Sequence, residues 1–230
     1  MKKLILLTFT VISISGIIPC KAYAYDITVG AATWYTWWDI NSENGDTRSL
    51  GPSFLYGPAI SLKFNDDFNL TFIYLYGKFD DNEAVNVSYK RVDSDLALNY
   101  RLNDYFKVFA GIKYMGFSKP GSIHAGYGPG LGVSFTSPIT NPIIDNLFLL
   151  ATLSGLYTWG DEEDRFGDKS DYNEYGLNSN LSVAYYITPA STTVTLGGRF
   201  QYFKTDYDDG AINKHFFYGI TLAATYTFSL

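Results

Sequence analysis

Apolar and polar side chains alternate along most of the chain, most clearly in its last segment, His215–Leu230. Every second residue from Phe216 to Leu230 is apolar or aromatic, and the residues between them are mostly small or polar. Successive side chains of an extended strand point to opposite faces, so the segment predicts a strand with one apolar face. A water-soluble sandwich would cover a core with that face, whereas a closed barrel in lipid would turn it outward. One strand alone leaves both folds open.

The same period-two pattern recurs along the chain and predicts ten strands. They are Ile27–Trp38, Ser53–Phe64, Phe68–Lys78, Ser88–Leu102, Phe106–Phe117, Tyr127–Ser137, Leu147–Thr158, Tyr175–Ile187, Thr192–Lys204 and His215–Leu230. Each is as long as the roughly 9–11 tilted residues with which a strand crosses a bilayer, or slightly longer. Beyond Ala24, no apolar run approaches the roughly 20 residues of a membrane helix. This pattern favours a membrane barrel over a sandwich.

The connections between these strands alternate between short and long. The short ones are Asn65–Asp67, Asn103–Asp104, Thr188–Ala190 and a somewhat longer turn with two prolines after Ser137. The predicted long loops are Asp39–Leu50, Phe79–Val87, Ser118–Gly126, Gly160–Glu174 and Thr205–Lys214. An even number of strands places both termini on the side of the short turns, with the long and mostly acidic loops opposite.

The first residues have the features of an export signal. A basic start is followed by the apolar run Leu4–Pro19 and by the A-x-A motif of Ala22, Tyr23 and Ala24. We predict a signal peptide over residues 1–24 and a mature domain over Tyr25–Leu230. Cys20, the one cysteine of the chain, follows a proline and not the small residue typical of lipoprotein signals, so we expect it to be removed with the signal.

Composition excludes one class of partner and fits the strand pattern. The chain has 20 Tyr and 17 Phe residues, as expected of strands with aromatic belts. Its formal net charge is −6, and no basic patch for nucleic acid is present in the sequence. We therefore expect no nucleic-acid partner.

The export signal, the alternating strands and the aromatic last strand resemble those of single-chain Gram-negative outer-membrane β-barrel proteins. The resemblance implies an all-β fold, a closed antiparallel transmembrane barrel of ten strands, integral in the outer membrane with its short turns in the periplasm. It also implies outer-membrane lipid, lipopolysaccharide and the barrel-assembly machinery as partners, whereas an extracellular partner is not identified. That machinery reads a terminal aromatic residue together with residues two and four positions earlier. Tyr226 and Phe228 match this signal, and Leu230 departs from it.

The predicted inner face carries most of the charge found in the middle of the strands. A charge that faces lipid at mid-depth costs a few kcal/mol, which favours placing these side chains in the lumen. Folding about Asn103–Asp104 places Lys113 opposite Asp93 or Asp95. Folding about the turn before Thr192 places Arg199 opposite Asn180 and Gln201 opposite Asn178. The predicted lumen charge network is Arg91, Asp93, Asp95, Lys113 and Arg199, with Asn178, Asn180 and Gln201 as polar neighbours.

Three glycines alternate on the inner face of the sixth predicted strand. Gly128, Gly130 and Gly132 have the wrong period and setting for a phosphate-binding loop, which opens a helix. We expect them to make room for bulky inward neighbours such as Phe148 and Leu150.

Candidate catalytic and metal-binding residues are few. Omptin proteases also have ten strands and use an acid–His pair at the rim, but neither His124 nor His215 has an acidic residue two positions before it, as in an Asp-x-His motif. Neither histidine is followed by the serine of the His-x-Ser pair found in lipid-hydrolysing barrels. General-base chemistry needs a histidine within hydrogen-bond reach of its nucleophile, so no catalytic residue is predicted. The carboxylates of the Asp161–Glu174 segment lack EF-hand spacing. We expect no metal and no cofactor.

Two classes of function remain open for such a barrel. The first is a structural or surface-interaction protein whose lumen is plugged by side chains and whose acidic loops face outward. The alternative is a narrow porin-like channel in which the same lumen charges set ion selectivity. A hydrolase at the rim, with His215 near Asp206, Asp208 or Asp209, is a further alternative.

Overall fold

The computed structural model describes residues 26–43, 45–81, 87–140 and 145–229. The strands are β1 (Asp26–Ser42), β2 (Thr47–Lys63), β3 (Phe68–Asp80), β4 (Ser88–Arg101), β5 (Phe106–Lys119), β6 (Ser122–Pro138), β7 (Leu147–Asp164), β8 (Lys169–Ile187), β9 (Thr192–Tyr207) and β10 (Ile212–Ser229), with a 3-10 turn at Thr188–Ala190. The predicted signal peptide with its cleavage site and Cys20, and the last residue Leu230, lie outside these ranges. Within the described ranges, no helix is long and apolar enough to span a membrane.

The ten strands form one closed barrel. Each strand pairs antiparallel with its neighbours in the chain, and β1 closes the barrel by pairing with β10. Asp26 at the start of β1 lies opposite Ser229 at the end of β10, so both ends of the described chain lie together. The predicted all-β fold of ten antiparallel strands is confirmed. We name the end that holds these residues and the short turns the turn end, and the opposite end the hairpin end.

The two faces of the wall follow the predicted alternation. The outward side chains that are exposed include Phe54, Tyr56, Ile60, Tyr74, Leu177, Leu181, Val183, Ile220 and Leu222. Between them, inward neighbours such as Trp34, Leu55, Leu75 and Phe217 are buried in the lumen. The apolar outer surface and the packed interior are therefore the two consequences of one period-two pattern.

Outward aromatic side chains form a belt toward the hairpin end, which we name the girdle. Its members are Tyr35, Trp37, Tyr56, Tyr76, Tyr127, Trp159, Tyr175, Tyr202, Phe216 and Tyr218. Neighbouring rings touch, as in Trp37 with Tyr218 at 5.8 Å and Tyr127 with Trp159 at 5.5 Å between ring centroids. Amphipathic rings suit the boundary between hydrocarbon and headgroups, so the girdle marks one edge of the membrane-spanning wall.

At the hairpin end, four of the five predicted long loops consist largely of strand, so their prediction was wrong, whereas most of the fifth, Phe79–Val87, lies outside the described residues. β7 continues to Asp164 and pairs with β8 from Lys169, and β5 reaches Lys119 before β6 begins at Ser122. The turns themselves are tight because Gly121 and Gly167 adopt positive φ angles of 84° and 85°. These hairpins extend the strands past the girdle as a rim, and they were missed because both faces of a rim strand are polar.

Candidate functional site

The predicted lumen charges meet in the middle of the barrel. β4 presents Arg91, Asp93 and Asp95 on its inner face, and the register of β5 places Lys113 directly opposite Asp95. β9 brings Arg199 opposite Asn180 and Gln201 opposite Asn178 on β8. Both turn-based registers are therefore as predicted, because a tight turn leaves little freedom in the pairing of the strands it joins.

Asp93 is the centre of this cluster. Lys113 Nζ donates to Asp93 Oδ1 at 2.8 Å, and Arg91 Nη2 donates to Asp93 Oδ2 at 3.0 Å. Arg199 Nη2 reaches Asp93 Oδ1 from across the lumen at 3.3 Å. Lys113 also donates to the two oxygens of Asp95 at 3.1 and 3.0 Å. Three cations and two carboxylates thus form one connected network.

Amide side chains complete most of the remaining hydrogen bonds. Gln201 accepts from Arg91 Nη2 at 2.9 Å through Oε1 and donates to Asp93 Oδ2 at 3.2 Å through Nε2. Asn178 accepts from Arg199 Nε at 3.0 Å. Asn180 is not part of the network, since its amide points to Thr221 at 3.5 Å. The predicted polar neighbours are therefore present, with Asn180 as the exception.

The network is shielded from solvent. The side chains of Arg91 and Asp93 are 1% exposed, and that of Lys113 is 4% exposed. Buried charges are tolerated when they are paired and hydrogen-bonded, which is the case for these three residues. The guanidinium of Arg91 also lies 3.6 Å from the centroid of the Phe217 ring, and that of Arg199 lies 4.5 Å from the Trp34 ring, as in cation–π pairs.

A layer of large aromatic side chains fills the lumen beside the network. We name as the aromatic layer the buried side chains of Trp34, Trp38, Phe79, Phe203 and Phe217. Trp38 lies at its centre, with the ring of Phe217 at 4.9 Å and that of Phe79 at 5.3 Å between centroids. Sequence reasoning missed this layer because it treated the inner face of the strands as polar. The available signal was the spacing of Trp34, Thr36 and Trp38 on the same face of β1.

Beyond the girdle, at the rim, His124 lies between two rings and two carboxylates. Its ring stacks on Phe117 at 4.0 Å and on Tyr172 at 3.9 Å between centroids. His124 Nε2 is 3.1 Å from Glu174 Oε1, and Nδ1 is 3.5 Å from Glu162 Oε2. Carboxylates only accept hydrogen bonds, so an imidazole between two of them is stabilised with both nitrogens protonated.

The rim position of His124 and Glu162 lies outside the membrane-spanning wall, three residues past the Tyr127–Trp159 pair of the girdle. The hydrogen bond with His124, with further donors in Ser122 and Tyr207, lowers the pKa of Glu162 to about 2, although burial acts in the opposite direction. Burial alone would lower the pKa of His124, but the two carboxylates outweigh it and raise that pKa. Both shifts favour the charged form of each group, so the carboxylate and the imidazolium stabilise each other at the rim.

His215 forms part of the floor of a cavity of about 230 Å³ at the hairpin end. Its Nδ1 accepts from Trp38 Nε1 at 3.2 Å, which assigns the ring proton to Nε2. The proposed neighbour Asp206 faces outward and pairs with Lys204 at 2.7 Å, so it does not approach His215. Neither histidine hydrogen-bonds a serine, threonine or cysteine in the described part of the chain.

The acidic segment 161–174 does not gather its carboxylates at one point. Asp161 and Glu163 face outward and pair with Lys169, whereas Glu162 and Glu174 face inward toward His124. Across the described ranges, no group of three or more His, Cys, Asp or Glu side chains is placed to hold a metal ion.

The inward glycines of β6 have a different neighbour from the one expected. A Cβ on Gly132 would lie 2.3 Å from Cζ of Phe109, so that ring, and not Phe148 or Leu150, occupies the space. Gly130 lines a second cavity of about 230 Å³ in the turn-end half of the lumen, where the walls include Thr71, Asn99, Ser134 and Thr152. The lumen thus holds a cavity in its turn-end half, separate from the cavity beside His215 at the hairpin end.

The predicted assembly signal lies on the outer wall of β10. Tyr226 and Phe228 are exposed, and their ring centroids are 4.5 Å apart. Leu230, the third residue of the signal, lies outside the described residues.

Comparisons with known proteins support the fold. No protein-family model and no curated protein sequence matches this chain. Among solved structures, the outer membrane protease OmpT of Escherichia coli aligns over 92% of this chain and 99% of its own, with a TM-score of 0.53 and 11% identity. An outer membrane channel of Pseudomonas putida F1 aligns over 93% and 98%, with a TM-score of 0.45 and 14% identity. Ail, the attachment invasion locus protein of Yersinia pestis, aligns over 87% of this chain and 98% of its own, with a TM-score of 0.32 and 12% identity. At these identities the likeness to OmpT shows the barrel fold alone.

Proposed function

We propose that this chain, which has the fold of small outer-membrane β-barrels, is integral in the bacterial outer membrane as a structural or surface-interaction protein with a closed lumen. The turn end would face the periplasm and the polar rim would face the outside. The apolar wall, the girdle and the predicted export signal support this location.

The main evidence for a closed lumen is the buried network around Asp93. Water or ions in a conducting pore would contact the charges that line it, yet Arg91 and Asp93 are 1% exposed and Lys113 is 4% exposed. The aromatic layer occupies the space between this network and the rim. Small barrels are commonly filled by their own side chains, and this arrangement fits that class.

A liposome-swelling assay with a pentose sugar tests closure. Vesicles that contain the purified protein should swell no faster than vesicles without protein. The variant Trp38→Ala/Phe217→Ala removes two rings of the aromatic layer but leaves the network around Asp93 in place, so its vesicles should also swell no faster than vesicles without protein. Rapid swelling with the unmodified protein would contradict the proposal.

Site-directed labelling tests location and orientation separately. The predicted mature chain contains no cysteine, so single cysteines can be placed at the rim as Asp168→Cys and at the turn end as Asp104→Cys. A membrane-impermeant maleimide applied to intact cells should label the first and reach the second only after permeabilisation. The reverse pattern would contradict the proposed orientation.

A narrow channel is the second candidate, and the cavity of about 230 Å³ in the turn-end half of the lumen favours it. Its walls combine polar side chains such as Thr71 and Asn99 with apolar ones such as Ile73 and Phe109. Asp95 at its inner end keeps 36% of its side chain exposed. A channel would require the network around Asp93 to separate. In that case the swelling assay would give a positive result with the unmodified protein.

A further inference from the structure

Two pairs of lysines lie directly opposite each other on the outer wall. Lys78 on β3 pairs in register with Lys90 on β4, and Lys204 on β9 pairs with Lys214 on β10. The residues beside them in each strand point into the lumen and are buried: Phe79, Tyr89, Phe203 and His215. Because side chains alternate between the faces of a strand, all four lysines face outward.

Both pairs lie at the same height relative to the apolar wall. Lys78 is two residues past Tyr76, and Lys204 is two residues past Tyr202, both members of the girdle. Lys214 is likewise two residues from Phe216. Two residues of a strand rise about 7 Å, which carries the ammonium groups from the girdle to the level of lipid headgroups.

Each pair carries one positive charge in excess. Lys78 is 3.7 Å from Asp80, and Lys204 is 2.7 Å from Asp206. The other lysine of each pair, Lys90 or Lys214, is exposed and has no carboxylate oxygen within 4.0 Å among the described residues. By contrast, Lys169 at the same end is paired with both Asp161 and Glu163.

Like charges directly opposite each other destabilise a pair of strands, yet this barrel repeats the arrangement at two places. The cost is removed when an anion lies between the two ammonium groups, and a phosphate can accept from both. The rings of Tyr202 and Phe216, 5.0 Å apart, form an apolar surface directly below one pair, as an acyl chain would require. A ligand with phosphate above and hydrocarbon below matches both features.

We propose that Lys78 with Lys90, and Lys204 with Lys214, form two binding sites for the phosphate groups of lipopolysaccharide in the surrounding leaflet. The proposal rests on the orientation given above, in which the hairpin end faces outward. Four strand spacings separate the two sites by way of β1 and β2, which is about 19 Å along the wall. The barrel therefore binds two lipid phosphates at separate places.

Thermal unfolding in a neutral detergent, titrated with lipopolysaccharide, measures binding. The variants Lys78→Gln/Lys90→Gln and Lys204→Gln/Lys214→Gln should each bind roughly 30-fold more weakly at the affected site, about 2 kcal/mol for two lysines. Lys169→Gln is the matched control, because it also faces outward at this end but is already paired with carboxylates. Its binding should equal that of the unmodified protein.

Titrations with two further ligands identify the source of the phosphate. Dephosphorylated lipopolysaccharide should lose most of the stabilising effect, and inorganic phosphate should neither stabilise the barrel nor compete at equal concentration. If the double variants bound lipopolysaccharide as tightly as the unmodified protein, the proposal would be overturned. The same holds if Lys169→Gln lost as much binding as the double variants. Competition by inorganic phosphate would instead show a site for free anions. Heat-modifiable migration on gels verifies folding of each variant. Because binding is measured in detergent, a negative result would contradict the lipopolysaccharide sites without contradicting the closed lumen or the orientation, which other assays test.

Discussion

Asp93 accepts hydrogen bonds from Lys113, Arg91, Gln201 and Arg199, which come from three different strands. A carboxylate buried to this degree depends on its donors, since its hydration is lost. Each donor in turn depends on Asp93, so the network acts as one unit and not as a sum of pairs.

Lys113→Ala should strongly destabilise the barrel. Removing one partner of a buried ion pair leaves an uncompensated charge and costs about 3–5 kcal/mol. We expect this loss in urea unfolding of protein refolded into lipid vesicles. In an open pore, solvent would screen Asp93 and Asp95, so the same change would leave stability almost unchanged and would raise cation preference instead.

Lys119→Ala provides the control for that measurement. Lys119 is on the same strand but is exposed at the rim, so its removal should change stability by less than about 0.5 kcal/mol. Equal effects of the two substitutions would contradict a special role for the buried lysine.

The pair of Glu162 and His124 predicts a pH dependence. The pKa of Glu162 is lowered from 4.5 to about 2, so its contribution to stability is present above pH 4.5 and is lost as the pH falls toward 2. The pKa of His124 is raised, so its contribution is present below pH 6.5 and is lost as the pH rises through the raised value. Stability from this pair is therefore greatest between these two limits.

Glu162→Gln should flatten the acid side of the stability curve. The lost contribution is at most about 3.5 kcal/mol, since the pKa is lowered from 4.5 to about 2 and one pKa unit corresponds to about 1.4 kcal/mol. Unfolding measured from pH 7 to pH 3 checks this result. Glu163→Gln is the control, because that neighbouring carboxylate faces outward beside Lys169. A curve of unchanged shape in Glu162→Gln would show that the rim pair does not contribute.

At the scale of the strand, the predictable features are those set by local rules. The outward face of each strand followed from alternation, and the pairing of Lys113 with Asp95 followed from the short turn at Asn103–Asp104. The rim extensions of β7 and β8 could not be predicted from alternation, because both faces of these segments are polar and give no alternating apolar pattern. The aromatic layer was missed for a related reason, since in-facing rings such as Phe217 look like the outward ones.

Two glycines of β6 give a matched pair of substitutions. A Cβ on Gly128 would lie 2.0 Å from the backbone oxygen of Tyr157, whereas a Cβ on Gly130 would meet nothing nearer than 3.6 Å. Gly128→Ala should therefore cost about 1–3 kcal/mol by forcing β6 and β7 apart. Gly130→Ala should be neutral or slightly stabilising, because alanine loses less backbone freedom on folding. Comparable unfolding midpoints for the two variants would contradict the close approach of β7.

For the whole molecule, the closed barrel holds three zones along its axis. The turn-end half of the lumen holds a cavity of about 230 Å³ with mixed polar and apolar walls. The middle is the network around Asp93, and the aromatic layer follows toward the rim. A solute that enters from the turn end would meet buried ion pairs before it met the rings. This order of zones supports the proposed closed lumen.

Single-channel recording in a planar bilayer tests the closed lumen most directly. Insertion of the unmodified protein should give no stable conductance steps in concentrated salt, because the buried ion pairs and the aromatic layer leave no continuous aqueous path. Vesicles that hold the protein together with a known porin show that protein delivered to the bilayer is detected, since the porin produces steps. Large, stable steps from the unmodified protein would contradict the closed lumen and would identify a channel.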